Sequence, residues 1–106
     1  GQGAQEALAS CRANLMTLAT AARMHAMDNS GHYPANLSEL RVRHYLATIP
    51  TCPSAGTATY MDGYQTNSNP DAFTVYCKKA NHIGAGVPAD HPQYGSWGGL
   101  IDRQAP

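Results

Sequence analysis

Leu8, Cys11, Leu15, Leu18, Ala22 and His25 recur at spacings of three and four and fall on one stripe of an α-helix. Alanines at 4, 7, 9, 13, 19, 21 and 26 fill the positions between them with strong helix formers. This pattern predicts a helix over 4–27, roughly 36 Å long at 1.5 Å per residue. The turn Asp28-Asn29-Ser30-Gly31 stops it, and Tyr33-Pro34 imposes an extended step before anything helical can resume. A short second helix then follows. Asn36 is its cap and Glu39 the capping-box partner, while Leu37, Leu40, Tyr45 and Leu46 point inward before Ile49-Pro50 ends the segment.

From Thr51 onward the period changes. Residues 57–60, 63–66 and 72–77 are short runs rich in Thr, Tyr, Val and Phe, divided by Asp62-Gly63 and by Asn67-Ser68-Asn69-Pro70-Asp71. They predict a small antiparallel meander. After Lys78 the chain is rich in Gly and Pro, with Ile83, Val87, Tyr94, Trp97, Leu100 and Ile101 as apolar anchors, and is expected to form an ordered loop across the sheet. The fold class is α+β: a long N-terminal helix packed on a small antiparallel β-sheet, with a loop-rich C-terminal region. One domain spans 1–106, made of a helical spine (1–28), a loop and short helix (29–50), the sheet (51–77) and the C-terminal loop (78–106). Gly1-Gln2-Gly3 carries no capping box, staple or start methionine, so the chain is read as a piece cut from something longer.

A length of 106 residues is enough for one modest core. Seven basic residues balance seven acidic ones and only 13% of the chain is charged, so no field draws nucleic acid or an acidic substrate. The basic groups at Arg41, Arg43, His44, Lys78 and Lys79 lack the interleaved aromatics of a single-strand groove and are read as a solvated surface. Catalysis finds no foothold either. Ser54 lacks the glycines of a nucleophile elbow, and His25, His32, His44, His82 and His91 form no HExxH pattern. Cys11, Cys52 and Cys77 stand far apart along the sequence, so neither an enzyme nor a metal centre is expected.

Read in order, Cys11-Arg12-Ala13-Asn14-Leu15, Asp28-Asn29-Ser30-Gly31-His32-Tyr33-Pro34, Leu37-Ser38-Glu39-Leu40 and Tyr45-Leu46-Ala47-Thr48-Ile49-Pro50-Thr51-Cys52-Pro53 resemble bacterial type IV pilin-like proteins. Similarity is greatest to those related to the major pseudopilin of type II secretion. It continues through Gly63-Tyr64-Gln65, residues 69–77 and Pro92-Gln93-Tyr94, and so covers nearly the whole chain. The resemblance implies a pilin-like fold and the soluble headpiece of a methylated prepilin whose hydrophobic helix half is absent from this sequence. It further implies a structural filament subunit, of a type IV pilus (fimbrium) or a type II secretion pseudopilus, acting in adhesion, motility, DNA uptake or secretion. Its partners would be copies of itself, the assembly machinery and the inner membrane, with a final place at the cell surface or in the periplasm.

In that exported setting three thiols imply one bridge and one odd residue. Spacing leaves the pairing open, and Cys52 with Cys77 is preferred because the two bracket the sheet; the closed loop of about 25 residues would contribute ~3.5 kcal/mol. Cys11 is then a small buried hydrophobe on the seam. Related pseudopilins hold calcium after the Ile-Pro step, but Cys52-Pro53-Ser54-Ala55-Gly56 offers no carboxylate, and Asp62, Asp71 and Asp90 suit turns; no cofactor is expected. Leu8, Cys11, Leu15 and Leu18 mark the assembly helix. Its first turns are expected to project past the head, leaving Leu8 to neighbouring subunits. Trp97 is expected to pin its glycine-rich loop to the sheet. In the alternative function, a minor-pilin-like extracellular binding module, Tyr94 and Trp97 instead form a surface contact.

Overall fold

The computed structural model describes residues 2–56, 59–69 and 71–102, Gln2 by its backbone only. Helix α1 (Gln2–Asp28) is followed by two short helices, α2 (Ser38–Val42) and α3 (Thr59–Asp62), and by four strands. The strands β1 (Tyr64–Asn67), β2 (Ala72–Tyr76), β3 (Gln93–Gly95) and β4 (Gly99–Ile101) form one antiparallel sheet in sequence order. A single 3-10 turn (Ile83–Ala85) lies between β2 and β3. The molecule is therefore α+β, with one long helix laid on a small antiparallel sheet. No described helix is long and apolar enough to cross a membrane.

The stripe predicted from the sequence is the face that α1 buries. Leu8, Cys11, Leu15, Leu18, Ala22 and His25 are all buried, and Cys11, Leu15, Leu18 and Ala22 share one core with Leu37 and Leu40 of the α2 region, Tyr60 of α3, and Phe73, Val75 and Tyr94 of the sheet. The helix stops as expected: Gly31, at φ +87°, donates its N–H to the Ala26 carbonyl at 2.8 Å, and Asn29 caps the His25 carbonyl at 2.7 Å. At α2, Asn36 Oδ1 accepts the Glu39 N–H at 3.2 Å while the Glu39 carboxylate reaches the Ala35 N–H at 3.3 Å.

Four expectations need correction. Leu8 does not project beyond the head: it is only 1% exposed, and Ala4 one turn earlier packs beside Gly84 of the 3-10 turn. Residues 59–62 form a helical turn instead of a strand, because neighbouring Thr59 and Tyr60 both enter the core, which the alternation of a strand forbids; residues 57 and 58 lie outside the described ones. The C-terminal segment contributes β3 and β4 in place of a plain loop. Its anchor is not Trp97, 77% exposed in the β3–β4 turn. Tyr94 does that work, buried and stacked on Phe73, with Arg23 of α1 donating to its hydroxyl and lying over its ring. A bidentate Arg12–Asp102 pair ties α1 to the residue after β4.

With the seam buried along its whole length, Leu8→Ala, Leu15→Ala and Leu18→Ala should each destabilise the domain by ~2–5 kcal/mol in urea unfolding. Met27→Ala, on the outward face at 83% exposure, should stay within about 0.5 kcal/mol of the parent. A Leu8→Ala loss as small as that of Met27→Ala would contradict the packing of the first turns.

Candidate functional site

The fold gathers four separated residues at one end of the sheet. Cys11 comes from the seam of α1. Cys52 opens a tight turn, its carbonyl accepting N–H bonds from Ala55 at 3.1 Å and Gly56 at 2.8 Å. Cys77 follows β2, with its N–H fixed to the Pro92 carbonyl at 3.0 Å. His82 starts the 3-10 turn, where its own carbonyl takes the N–H groups of Ala85 and Val87. The three Sγ atoms and one ring nitrogen all lie within 4.8 Å of one another, and all four residues are buried. His82 Nε2 is 3.3 Å from Cys52 Sγ and 3.6 Å from Cys77 Sγ. The three cysteines are free thiols.

Two of the sulfurs also face a hydrogen-bond donor outside the cluster. Asn14 Nδ2 donates to the Tyr60 hydroxyl oxygen at 3.3 Å, which leaves the Tyr60 proton for Cys11 Sγ at 2.9 Å. Cys52 Sγ meets the His82 ring nitrogen, and the backbone N–H groups of its own turn lower its thiol against the rise that burial gives. Asn81 Nδ2 reaches Cys77 Sγ at 3.3 Å and Thr59 Oγ1 lies 3.6 Å from it. Hydrogen bonds, first from the Cys11 thiol and then from Thr59 and Asn81, hold Cys77 well below the ordinary thiol range. Cys11 is pushed up, because it donates to Cys77 and because it is buried. Burial raises Cys52 as well. His82 Nδ1 is buried without a partner among the described residues.

Three buried sulfurs and an imidazole nitrogen are soft-to-borderline donors suited to a thiophilic ion or to redox chemistry among the thiols. The cysteines that stand apart in the sequence are thus neighbours in the fold. Cys11 is buried on the seam as expected, and there it also faces Cys52 and Cys77. His82, set aside in the sequence with the other histidines for want of a motif, belongs to the cluster; its position five residues after Cys77 was the available signal. Among the described residues this is the only group of three or more His, Cys, Asp or Glu placed to share an ion. The aspartates serve elsewhere: Asp71 pairs with His32 at 3.1 Å, Asp90 accepts the Lys79 N–H at 2.7 Å, and Asp62 closes α3.

The other predicted site residues divide by burial. Leu8, Leu15 and Leu18 are consumed by the core and are closed to a neighbouring subunit. Tyr94, offered as a surface contact, is buried; Trp97 is exposed, with Leu100 and Ile101 partly exposed after it on the same hairpin. On α1 the outward apolar residues are Met16, Met24 and Met27. Comparison of the chain with protein-family models, with characterised proteins and with solved structures finds no match.

Proposed function

We propose that this chain is the headpiece of a self-assembling filament subunit of the type IV pilin kind, a structural protein that works by association rather than catalysis. The observation that supports this most is α1 itself. A 27-residue helix lies along a small antiparallel meander, buries one face from Leu8 to His25, and keeps apolar side chains at helical spacing on the other. Because Leu8, Cys11, Leu15 and Leu18 are committed to the core, contacts between subunits fall to the outer stripe of Met16, Met24 and Met27. Flexible thioethers suit a surface that packs against copies of itself. The pilin reading also places the working protein at the cell surface or in the periplasm, anchored before assembly by a segment encoded ahead of Gly1.

Two measurements test it. The codons preceding Gly1 should encode a leader and an apolar stretch of about 20 residues. In the whole gene product Met24→Lys with Met27→Lys should abolish filaments seen by electron microscopy while leaving the headpiece melting temperature within about 3 °C of the parent, since both positions face solvent. Absence of an apolar segment upstream would overturn the proposal, as would filaments undiminished by the double variant. The exposed Trp97 favours a second reading, a minor-pilin-like module that touches a ligand or surface through this hairpin. Loss of surface binding in Trp97→Ser with assembly intact would select it.

A further inference from the structure

We propose that Cys11, Cys52, Cys77 and His82 bind one zinc ion in a closed tetrahedral site that fastens α1 to the end of the sheet. A tetrahedron with Zn–S near 2.3 Å and Zn–N near 2.0 Å has donor-to-donor edges of roughly 3.5–3.8 Å. The two Sγ–Nε2 separations, 3.3 and 3.6 Å, bracket the lower part of that range, and the remaining pairs, none beyond 4.8 Å, need only a small contraction. Four protein donors fill the coordination shell and burial excludes solvent, so the ion is structural rather than catalytic.

The count of groups favours an ion over a disulfide. One bond between Cys52 and Cys77 would use two of three thiols and leave Cys11 and the His82 ring buried against a bonded pair, whereas a four-coordinate ion uses every donor present. Binding releases the three S–H protons to solvent and takes the neutral Nε2 lone pair, with the ring proton on Nδ1; no oxidant or reductant is required. The resulting centre carries one net negative charge in a buried place. Donors already aimed at two of the sulfurs answer it: the Tyr60 hydroxyl at Cys11, and the Asn81 amide with Thr59 at Cys77. Neutral buried thiols have little use for that many donors. The four ligands come from the helix, the turn at 52–56, the end of β2 and the turn at 82, so an ion here adds a direct link between segments otherwise joined by packing and by single hydrogen bonds such as that from Asn14 Nδ2 to the Thr51 carbonyl.

The test uses the whole chain, produced in zinc-supplemented medium and purified without reductant or chelator. Elemental analysis should find a single zinc per chain, and thiol titration in denaturant with chelator should find all three cysteines reduced. Titration of the metal-free protein with Co²⁺ should produce the strong visible bands and near-ultraviolet sulfur-to-metal transitions of a tetrahedral thiolate complex. Cys77→Ser and His82→Ala should lose them; His82→Cys should keep them, shifted toward those of a four-thiolate centre. A peptide joining any two cysteines in a non-reduced digest would overturn the proposal. So would wild-type protein that carries no zinc and gives no cobalt bands, or bands unchanged in both Cys77→Ser and His82→Ala. The wild-type measurements stand even where a variant fails to fold, and none of them depends on filament formation.

Discussion

Gly63→Ala is expected to lower the stability of the domain by ~3 kcal/mol or more, an effect far larger than the single methyl group would suggest. A Cβ on Gly63 would lie 2.2 Å from the Tyr76 carbonyl oxygen and 3.1 Å from its carbonyl carbon. Both are backbone atoms of β2, so no rotamer change relieves the clash. The backbone at Gly63 is not left-handed, and the demand for glycine here comes from close approach alone. Relief requires β1 to move away from β2, which breaks the 3.0 Å bond from the Tyr76 N–H to the Gly63 carbonyl. For a domain of this size the melting temperature should fall by roughly 12–24 °C. The damage falls next to the thiol cluster, because Cys77 follows Tyr76 directly. A fall of only a degree or two would show that the strands are not as close as described.

What the sequence reveals about this fold depends on how local the cause is. The α1 seam and its stop at Gly31 are legible because period and cap are contiguous in the chain. The same holds for the Asn36–Glu39 cap of α2 and for the two strands rich in Tyr, Thr, Phe and Val. Features set by distant partners are not legible. Thr59-Tyr60 looks like strand until one sees that both side chains must enter the core, Tyr60 to reach Cys11. Strands β3 and β4 are three residues each among glycines, and only their register against Val75 and against each other makes them strands. Trp97 resembles an anchor by size, yet Tyr94 and Ser96 hold the hairpin: the Ser96 hydroxyl and N–H bond the Phe73 backbone at 3.0 and 2.9 Å. The thiol and imidazole cluster is the extreme case. Its four members show no short-motif spacing as a set, and only the packing of α1 on the sheet brings Cys11 to the other three.

Phe73→Ala should be the most damaging substitution that leaves the backbone unchanged, at ~4–5 kcal/mol. Phe73 is 2% exposed and sits among three aromatic rings: Tyr33 edge-on at 4.8 Å, and Tyr64 and Tyr94 stacked at 6.1 Å each. Truncation removes a large buried side chain, worth ~3–5 kcal/mol with its cavity. It also removes pair terms of about 0.5–1.5 kcal/mol each. Tyr94 would lose its stacking partner while still bound to Arg23, so part of the loss passes to the contact between α1 and the sheet. The cavity cannot readily close, because Tyr64 is held by its bond to the Pro34 carbonyl at 2.7 Å. Trp97→Ala removes a still larger side chain from a solvent-exposed turn and should change stability by less than about 0.5 kcal/mol. Urea unfolding of both variants, with equal slopes, measures the difference directly. If the tryptophan variant lost as much as the phenylalanine one, Trp97 would be an anchor after all, and neither the outward hairpin nor any contact assigned to it would stand.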